Sequence, residues 1–224
     1  MKKVFFTLLV VTGFVSVNAQ NLSLGPIGSF NHSWITGSGA SDNRDFNPSF
    51  KAGATITYSI HPHWALGADL LFANEGAKST TTVANFETEN KVNLNYIRVP
   101  LKAIYFFGDL GDKLRPKLYA GPSFGFLVGG KAKTETKNTT SGVTVKSEAD
   151  SKDFYEGFDF GLTAGAGLNY RIARAIWLNF DVNYTNGFLD VTKNTTVNKS
   201  FNANRNLGVA VGVTFPIGTV ESKK

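Results

Sequence analysis

Two-residue alternation of apolar and polar side chains is the feature that most constrains this chain. Its C-terminal part contains two such segments, AIWLNFDVNYTNGF and RNLGVAVGVTFPIG, joined by a polar loop. Because successive side chains of a strand point to opposite faces, Ile176, Phe180 and Val182 share one face of the first segment, and Asn179 and Asp181 share the other. Both segments are therefore predicted to be strands with one apolar face, and the fold depends on where that face points.

The same alternation recurs along the chain and predicts eight strands. Tight turns are expected after the second, fourth and sixth strands, and polar loops after the first, third, fifth and seventh. The loop at residues 76–91 is rich in Thr, Asn and Glu, and the longest loop, at residues 130–155, is expected to be mobile. The strands are expected at residues 22–35, 48–60, 64–72, 92–107, 117–129, 156–172, 175–188 and 205–218.

An even number of strands with alternating long and short connections is typical of a bacterial outer-membrane barrel. Its long loops lie outside the cell, and its short turns lie in the periplasm with both termini. The predicted fold class is therefore all-β, an eight-stranded antiparallel up-and-down transmembrane β-barrel of the outer-membrane type. No apolar run after residue 19 is long enough to span a bilayer as a helix, and a closed barrel is the other structure that satisfies its backbone in lipid.

The first 19 residues have the pattern of a secretory signal peptide. Lys2 and Lys3 precede an apolar run that ends near Val17, and the small residue Ala19 marks the expected cleavage site. Cleavage there leaves one barrel domain at residues 20–224. The alternative, an amino-terminal membrane anchor, needs about 20 apolar residues, more than this run provides.

The composition excludes several function classes. Removal of the two lysines lowers the formal net charge from +6 to +4, which is too weak to indicate a nucleic-acid partner. The chain contains no cysteine, so the core or the membrane, rather than disulfides, must stabilise it. Bacterial lipidation is excluded for the same reason.

The chemistry of the polar face favours lipid outside the apolar face. A soluble periplasmic lipocalin-like barrel, the alternative, would line a cavity for a small apolar ligand with that face and expose Lys and Glu to water. Here the polar face is mostly Gly, Ser, Thr and Asn, which suits a narrow packed lumen. Aromatic residues near strand ends are expected to form interfacial girdles: Trp64, Phe72, Tyr105, Phe106, Tyr119, Phe158, Tyr170, Trp177, Phe188 and Phe215.

Ionisable side chains also occur on the polar face, which would face the lumen. Unpaired charges in a narrow lumen are costly, so these acids and bases are expected to pair. A hairpin centred on the middle of its loop places Asp69 opposite Arg98, and Glu75 is expected to pair with Lys51. The alternative is that the charges line an ion path or gate. The predicted lumen charge network comprises Lys51, Asp69, Glu75, Arg98, Lys102, Asp159, Arg171 and Asp181.

Side chains that could carry catalysis or bind a metal are sparse. The histidines His32, His61 and His63 do not lie in a ligand-rich cluster, and no metal or cofactor is expected. Some small outer-membrane barrels modify lipids with Ser and His near the outer rim, where His32 and Ser33 are expected, but the chain contains no GxSxG elbow. We therefore predict that the protein is not an enzyme, with a lipid-acting barrel enzyme as the remaining alternative.

Three predicted strands carry NYIRVPLKAIYFF, with Tyr96, Pro100 and Lys102, then LYAGPSFGF and FDFGLTAGAGLNY. Together with the signal peptide, these segments resemble the PorT-like small outer-membrane β-barrel proteins of Bacteroidetes-type bacteria over nearly the whole mature chain. The resemblance implies an eight-stranded barrel in the outer membrane with periplasmic termini, and it admits a role in protein secretion. The tail at residues 218–224 departs from the family pattern because it extends beyond the terminal aromatic strand, where Phe215 is expected to serve as the assembly signal.

The favoured function is a non-enzymatic scaffold, held in outer-membrane lipid as a monomer. Its extracellular loops, above all residues 130–155, are expected to contact ligands, surfaces or partner proteins.

Overall fold

The computed structural model describes residues 22–37, 45–109, 111–173, 176–193 and 201–217. The expected signal peptide and the tail lie outside these described residues. Among the described residues, no helix is long and apolar enough to cross a membrane. The strands are β1 (Leu22–Gly37), β2 (Pro48–Ser59), β3 (Trp64–Val83), β4 (Phe86–Phe106), β5 (Leu114–Asn138), β6 (Thr144–Asp150), β7 (Phe158–Ala173), β8 (Ile176–Gly187) and β9 (Asn202–Ile217).

Eight of the strands close into a ring. Each strand pairs antiparallel with its neighbour in the order β1, β2, β3, β4, β5, β7, β8 and β9. The first and last strands then pair with each other, with Leu22 opposite Ile217 and Gly37 opposite Asn202. Closure removes free strand edges, which lipid does not tolerate. The predicted eight-stranded antiparallel barrel is confirmed, and β6 is an additional strand outside the ring.

The apolar face of the barrel points outward. Phe50, Leu70 and Val211 are 54%, 60% and 49% exposed, whereas Lys51 and Thr214 on the alternate positions are buried in the lumen. An apolar surface that surrounds the whole barrel is stable in lipid and not in water. The lipocalin-like alternative, with the apolar face lining a cavity, is therefore wrong.

The two ends of the barrel differ. One end, here the turn end, holds the beginning of β1, the end of β9 and the short connections after β2, β4 and β7. The predicted turn at residues 61–63 is present there, closed by hydrogen bonds between the backbone groups of Ile60, His61 and Trp64. The other end, here the loop end, holds the connections after β1, β3, β5 and β8.

The loop end carries a four-stranded extension of the barrel wall, here the blade, formed by residues 77–83, 86–93, 130–138 and 144–150. Strands β3 and β4 continue to a tight connection at residues 84–85, and β5 continues to Asn138 and pairs with β6. The prediction that residues 76–91 and 130–155 form loops is therefore wrong over most of both segments. With the blade, β3, β4 and β5 are about twice as long as the 9–11 residues that a transmembrane strand needs. Neither face of the blade has the unbroken apolar alternation that identifies strands elsewhere in the sequence.

Two glycines mark the base of the blade. Gly76 and Gly130 have φ angles of +131° and +143°, which side-chain-bearing residues rarely adopt. A Cβ at Gly76 would lie 2.0 Å from the backbone oxygen of Val92, and one at Gly130 would lie 2.1 Å from that of Asn93. Glycine therefore lets β3 and β5 pass close to β4 where the blade leaves the barrel.

Candidate functional site: the charged lumen

The alternation that exposes apolar residues to lipid brings ionisable side chains into the lumen, where they lie in three layers. The layer nearest the loop end contains Arg98, Glu75, Asp159 and Lys51. The middle layer is Asp69 with Lys102, and the layer nearest the turn end is Asp181 with Lys117. Each layer contains as many cations as carboxylates, which is the arrangement that burial of charge requires.

Arg98 is the centre of the first layer and is only 2% exposed. Its Nη2 donates to Glu75 Oε2 at 2.6 Å and to Asp159 Oδ2 at 2.8 Å, and its Nη1 lies 3.4 Å from Ser123 Oγ. The second carboxylate oxygen of Glu75 is 3.3 Å from Lys51 Nζ, as the predicted pairing requires. One guanidinium on β4 therefore binds two carboxylates, one from β3 and one from β7.

The remaining two layers are simple ion pairs. Lys102 Nζ donates to Asp69 Oδ1 at 2.6 Å, and Lys117 Nζ lies 2.9 Å from Asp181 Oδ1. Both ammonium groups also lie near the ring of Tyr119, at 5.4 and 5.9 Å from its centroid. The predicted pairing of Asp69 with Arg98 is wrong, since each of these side chains has another ion-pair partner.

Arg171 is the member of the predicted network that lies elsewhere. It is half-buried at the turn end, where its Nη2 donates to the Gly111 oxygen at 2.6 Å and its guanidinium lies 5.7 Å from the Trp177 ring centroid. Conversely, Lys117 and Arg115 line the lumen but are absent from the predicted set. The predicted fifth strand begins at residue 117, which leaves Arg115 in a turn, whereas β5 begins at Leu114. Arg115 and Lys117 both have the parity opposite to the outward Leu118, so both face the lumen.

The loop end of the lumen is closed by an apolar cluster, here the apolar cap. Val191, in the connection after β8, is fully buried against Ile35, Leu94 and Tyr96. Its backbone N–H donates to the Asn202 backbone oxygen at 2.8 Å, and its carbonyl accepts a hydrogen bond from the Glu156 N–H at 2.8 Å. This cluster caps the charge layers on the side of the blade. It argues against the alternative of an ion path through the barrel.

Three of the aromatic residues predicted to lie in the girdles are inside the barrel. Phe106 and Tyr119 are buried in the lumen and Trp177 lines a cavity of the lumen, because each follows the inward parity of its strand. At the turn end, Tyr105 packs edge to face against Trp64 and Phe107, with ring centroids 5.0 Å apart in both pairs. This outward cluster lies where an interfacial aromatic belt is expected.

The residues that motivated an enzymatic alternative do not form a catalytic pair. His32 and Ser33 are adjacent in β1 and point to opposite faces. The His32 ring stacks between Trp34 and Phe46 at 5.0 Å from each, while Ser33 Oγ accepts a hydrogen bond from the Asn47 amide at 3.0 Å. Within the described part of the chain, no group of three or more His, Cys, Asp and Glu side chains could hold a metal ion.

The family model described as outer membrane protein beta-barrel domain matches residues 11–193 of the chain. Comparison with curated proteins yields no match.

The solved structures that are similar to this chain include three bacterial proteins. Neisserial surface protein A is 14% identical, with a TM-score of 0.45 over 88% of this chain and 97% of that one. OprG from Pseudomonas aeruginosa is 12% identical, with a TM-score of 0.44 over 87% and 94%. Ail from Yersinia pestis is 13% identical, with a TM-score of 0.42 over 86% and 98%. The family match covers most of the chain, which therefore belongs to the outer membrane protein beta-barrel domain family and resides in the bacterial outer membrane.

Proposed function

We propose that the protein is a non-enzymatic scaffold of the PorT-like type, in which the barrel anchors the blade outside the cell for contact with a ligand, a surface or a partner protein. The observation that carries the proposal is the blade itself. Strands that continue beyond the barrel rim are longer than a membrane span requires. They place an ordered surface at the loop end.

The two faces of the blade differ in chemistry. The paired residues of one face are Ala, Ser, Thr, Asn, Val and Phe, and its base packs on the apolar cap through Ala77 and Val92, so this face lies over the barrel mouth. The opposite face is directed away from the barrel axis and carries the charges: Lys78, Glu87, Glu89, Lys91, Lys131, Lys133, Glu135, Lys137, Lys146, Glu148 and Asp150.

Ion pairs connect neighbouring strands across the charged face. Glu148 accepts from Lys131 and lies 3.0 Å from Lys133 Nζ, and Lys146 Nζ lies 2.9 Å from Glu135 Oε2. The hydrogen bond from Lys131, followed by that from Lys133, lowers the pKa of Glu148. An ordered surface loses less conformational entropy on binding than a mobile loop, which supports a role in recognition.

The orientation can be tested with single cysteines, since the chain has none. Ser141→Cys lies between β5 and β6 at the tip of the blade, and His61→Cys lies at the turn end. We expect a membrane-impermeant maleimide to label Ser141→Cys on intact cells and His61→Cys only after the outer membrane is permeabilised. The reverse result would place the blade in the periplasm and overturn the proposal.

The role of the blade can be tested by shortening it. Lys131 and Asp150 are opposite each other, so an Asn-Gly turn in place of residues 132–149 would join them as a hairpin. In a strain that lacks the protein, we expect this variant to assemble in the outer membrane but not to restore surface attachment or the profile of secreted proteins. Full restoration of both would refute the scaffold proposal. Loss of the secreted profile alone would support the link to secretion that the PorT-like resemblance implies.

We also propose that the mature domain begins at residue 20 after removal of a signal peptide. The first residue of the protein purified from the outer membrane tests this, and an intact Met1 would contradict it.

A further inference from the structure

The lumen contains a cavity of about 290 Å³ at the turn end, lined in part by Lys102 and by both the cation and the carboxylate of the charge layer nearest that end. Residues at the strand ends, including Leu22, Ser59 and Pro216, form its mouth, and Tyr119 and Lys102 separate it from a second cavity of about 40 Å³. Its volume is at the lower end of the range of small-molecule pockets. It lies at the opposite end of the barrel from the blade.

The walls of this cavity are chemically different. One wall, from β4 and β5, carries the cations Lys102, Arg115 and Lys117. The facing wall, from β1, β2 and β9, carries hydroxyl groups, among them Thr55 and Thr214. A cationic wall opposite a hydroxyl-bearing wall suits a ligand that has an anionic group at one side and hydrogen-bonding groups at the other.

Arg115 is the cation of this wall without a carboxylate partner. Lys102 and Lys117 form ion pairs with aspartates, but no carboxylate oxygen of the described residues lies within 4.0 Å of Arg115. Its Nη2 donates to the Pro62 oxygen, its guanidinium lies 4.5 Å from the Phe106 ring centroid, and its Nε has no hydrogen-bond partner in the described structure.

The side chain of Arg115 is only 6% exposed. The carboxylates of Asp109 and Asp112 act on this guanidinium only from beyond ion-pair distance. A buried guanidinium that has no carboxylate in contact is unfavourable unless an anion or water completes it. The adjacent cavity provides room for that anion.

We propose that the turn-end cavity binds a small organic anion, a polyol that carries a phosphate or carboxylate group. Arg115 and the neighbouring Lys117 bind the anionic group, and the hydroxyl-bearing wall binds the polyol. The site opens toward the compartment that the turns face, and it does not depend on the function of the blade.

The cavity contains its own reporter, because Trp177 is in its wall. The chain has three tryptophans, so Trp34→Phe and Trp64→Phe leave Trp177 as the only source of indole fluorescence. The protein would be reconstituted in phosphatidylcholine vesicles and titrated with glycerol 3-phosphate at constant ionic strength. We expect a saturable change in fluorescence with glycerol 3-phosphate, a weaker one with inorganic phosphate, and none with glycerol. An equal response to glycerol, or none to either anion, would overturn the proposal.

Three variants test the assignment of the cations. Arg115→Met should weaken binding about tenfold or more, since it removes a charged hydrogen-bond donor. Lys113→Met is the matched control, because Lys113 is an exposed cation at the same end but outside the cavity, and it should bind as the parent does. Asp181→Asn should tighten binding several-fold, because it releases Lys117 from its ion pair. This gain of affinity keeps the proposal testable if Arg115→Met does not fold, and unchanged affinity in both Arg115→Met and Asp181→Asn would refute it.

The source of the anion is distinguished by the lipid. If the headgroup of a glycerophospholipid occupies the cavity, vesicles that contain phosphatidylglycerol should themselves change Trp177 fluorescence and weaken glycerol 3-phosphate binding. If the ligand is a soluble molecule, the titration should be the same in both lipids.

Discussion

Replacement of Arg98 by Met should destabilise the barrel more than loss of any exposed ion pair. Methionine fills a similar volume and removes both the 2.6 Å contact to Glu75 and the 2.8 Å contact to Asp159. Glu75 keeps Lys51 as a counter-charge. Among the described residues, Asp159 keeps only the Asn204 side-chain amide, which donates to it at 3.3 Å. One carboxylate is therefore left buried without a cation.

The expected loss is about 3–5 kcal/mol in the free energy of unfolding, the usual cost of breaking a buried pair by removal of one partner. Removing the unpaired charge of Asp159 should restore part of the lost free energy of unfolding. Arg98→Met combined with Asp159→Asn should therefore be more stable than Arg98→Met alone. The control is Lys146→Met on the blade, whose side chain is 70% exposed and pairs with Glu135. This control variant should lose about 1 kcal/mol or less in the free energy of unfolding.

The assay is reversible urea unfolding of the protein reconstituted in lipid vesicles, followed by tryptophan fluorescence. Gel mobility with and without boiling checks that each variant forms a closed barrel before unfolding. A loss below about 1 kcal/mol for Arg98→Met, or a double variant less stable than the single one, would refute the view that Arg98 neutralises two buried carboxylates.

Three further predictions concern the outer face, the base of the blade and its charges. Val211→Arg should cost about 2–4 kcal/mol in the same unfolding assay because it places a charge in lipid. Val145→Arg on the blade is the control and should change stability by about 0.5 kcal/mol or less. Equal effects of the two substitutions would contradict the assignment of the outer face to lipid. Gly130→Ala should cost about 1–3 kcal/mol, because its φ of +143° and the nearby β4 backbone exclude a Cβ, and an unchanged unfolding midpoint would contradict this. The lowered pKa of Glu148 means that its contribution is present above the unfolded value of 4.5 and is lost as the pH falls through the folded value. Hydrogen-exchange protection of β6 should therefore decrease in acid, and Glu148→Gln should remove that dependence.

Strand positions and facing could be predicted from the sequence because lipid imposes a strict requirement on one face. From Phe50 to Tyr58 each second residue must be apolar, and that alternation identifies β2 without other information. The blade lies outside lipid and has no such requirement. Residues such as Thr134 and Thr136 are polar on one face while Lys133 and Glu135 are charged on the other, so the sequence resembles a loop.

Ion-pair partners in the lumen could be predicted only in part, because alternation fixes the face of a strand and not its register. A hairpin centred on its loop placed Asp69 opposite Arg98, whereas the tight connection at residues 84–85 places Leu71 opposite Arg98. This shift of two residues leaves every side chain on its predicted face and changes every partner. Asp69 consequently pairs with Lys102, and Arg98 is left to join Glu75 with a carboxylate from β7.

The apolar cap and the charge layers also separate the two ends of the protein. Val191 and Tyr96 close the lumen beneath the blade, and Arg98 holds the strands together immediately below them. A ligand that enters at the turn end therefore meets buried ion pairs before it reaches the cap, and passage would require these pairs to break at a cost of several kcal/mol. Such a barrel can expose one surface on each side of the membrane without connecting them. Its two proposed sites, the blade and the turn-end cavity, should consequently respond to mutation independently of each other.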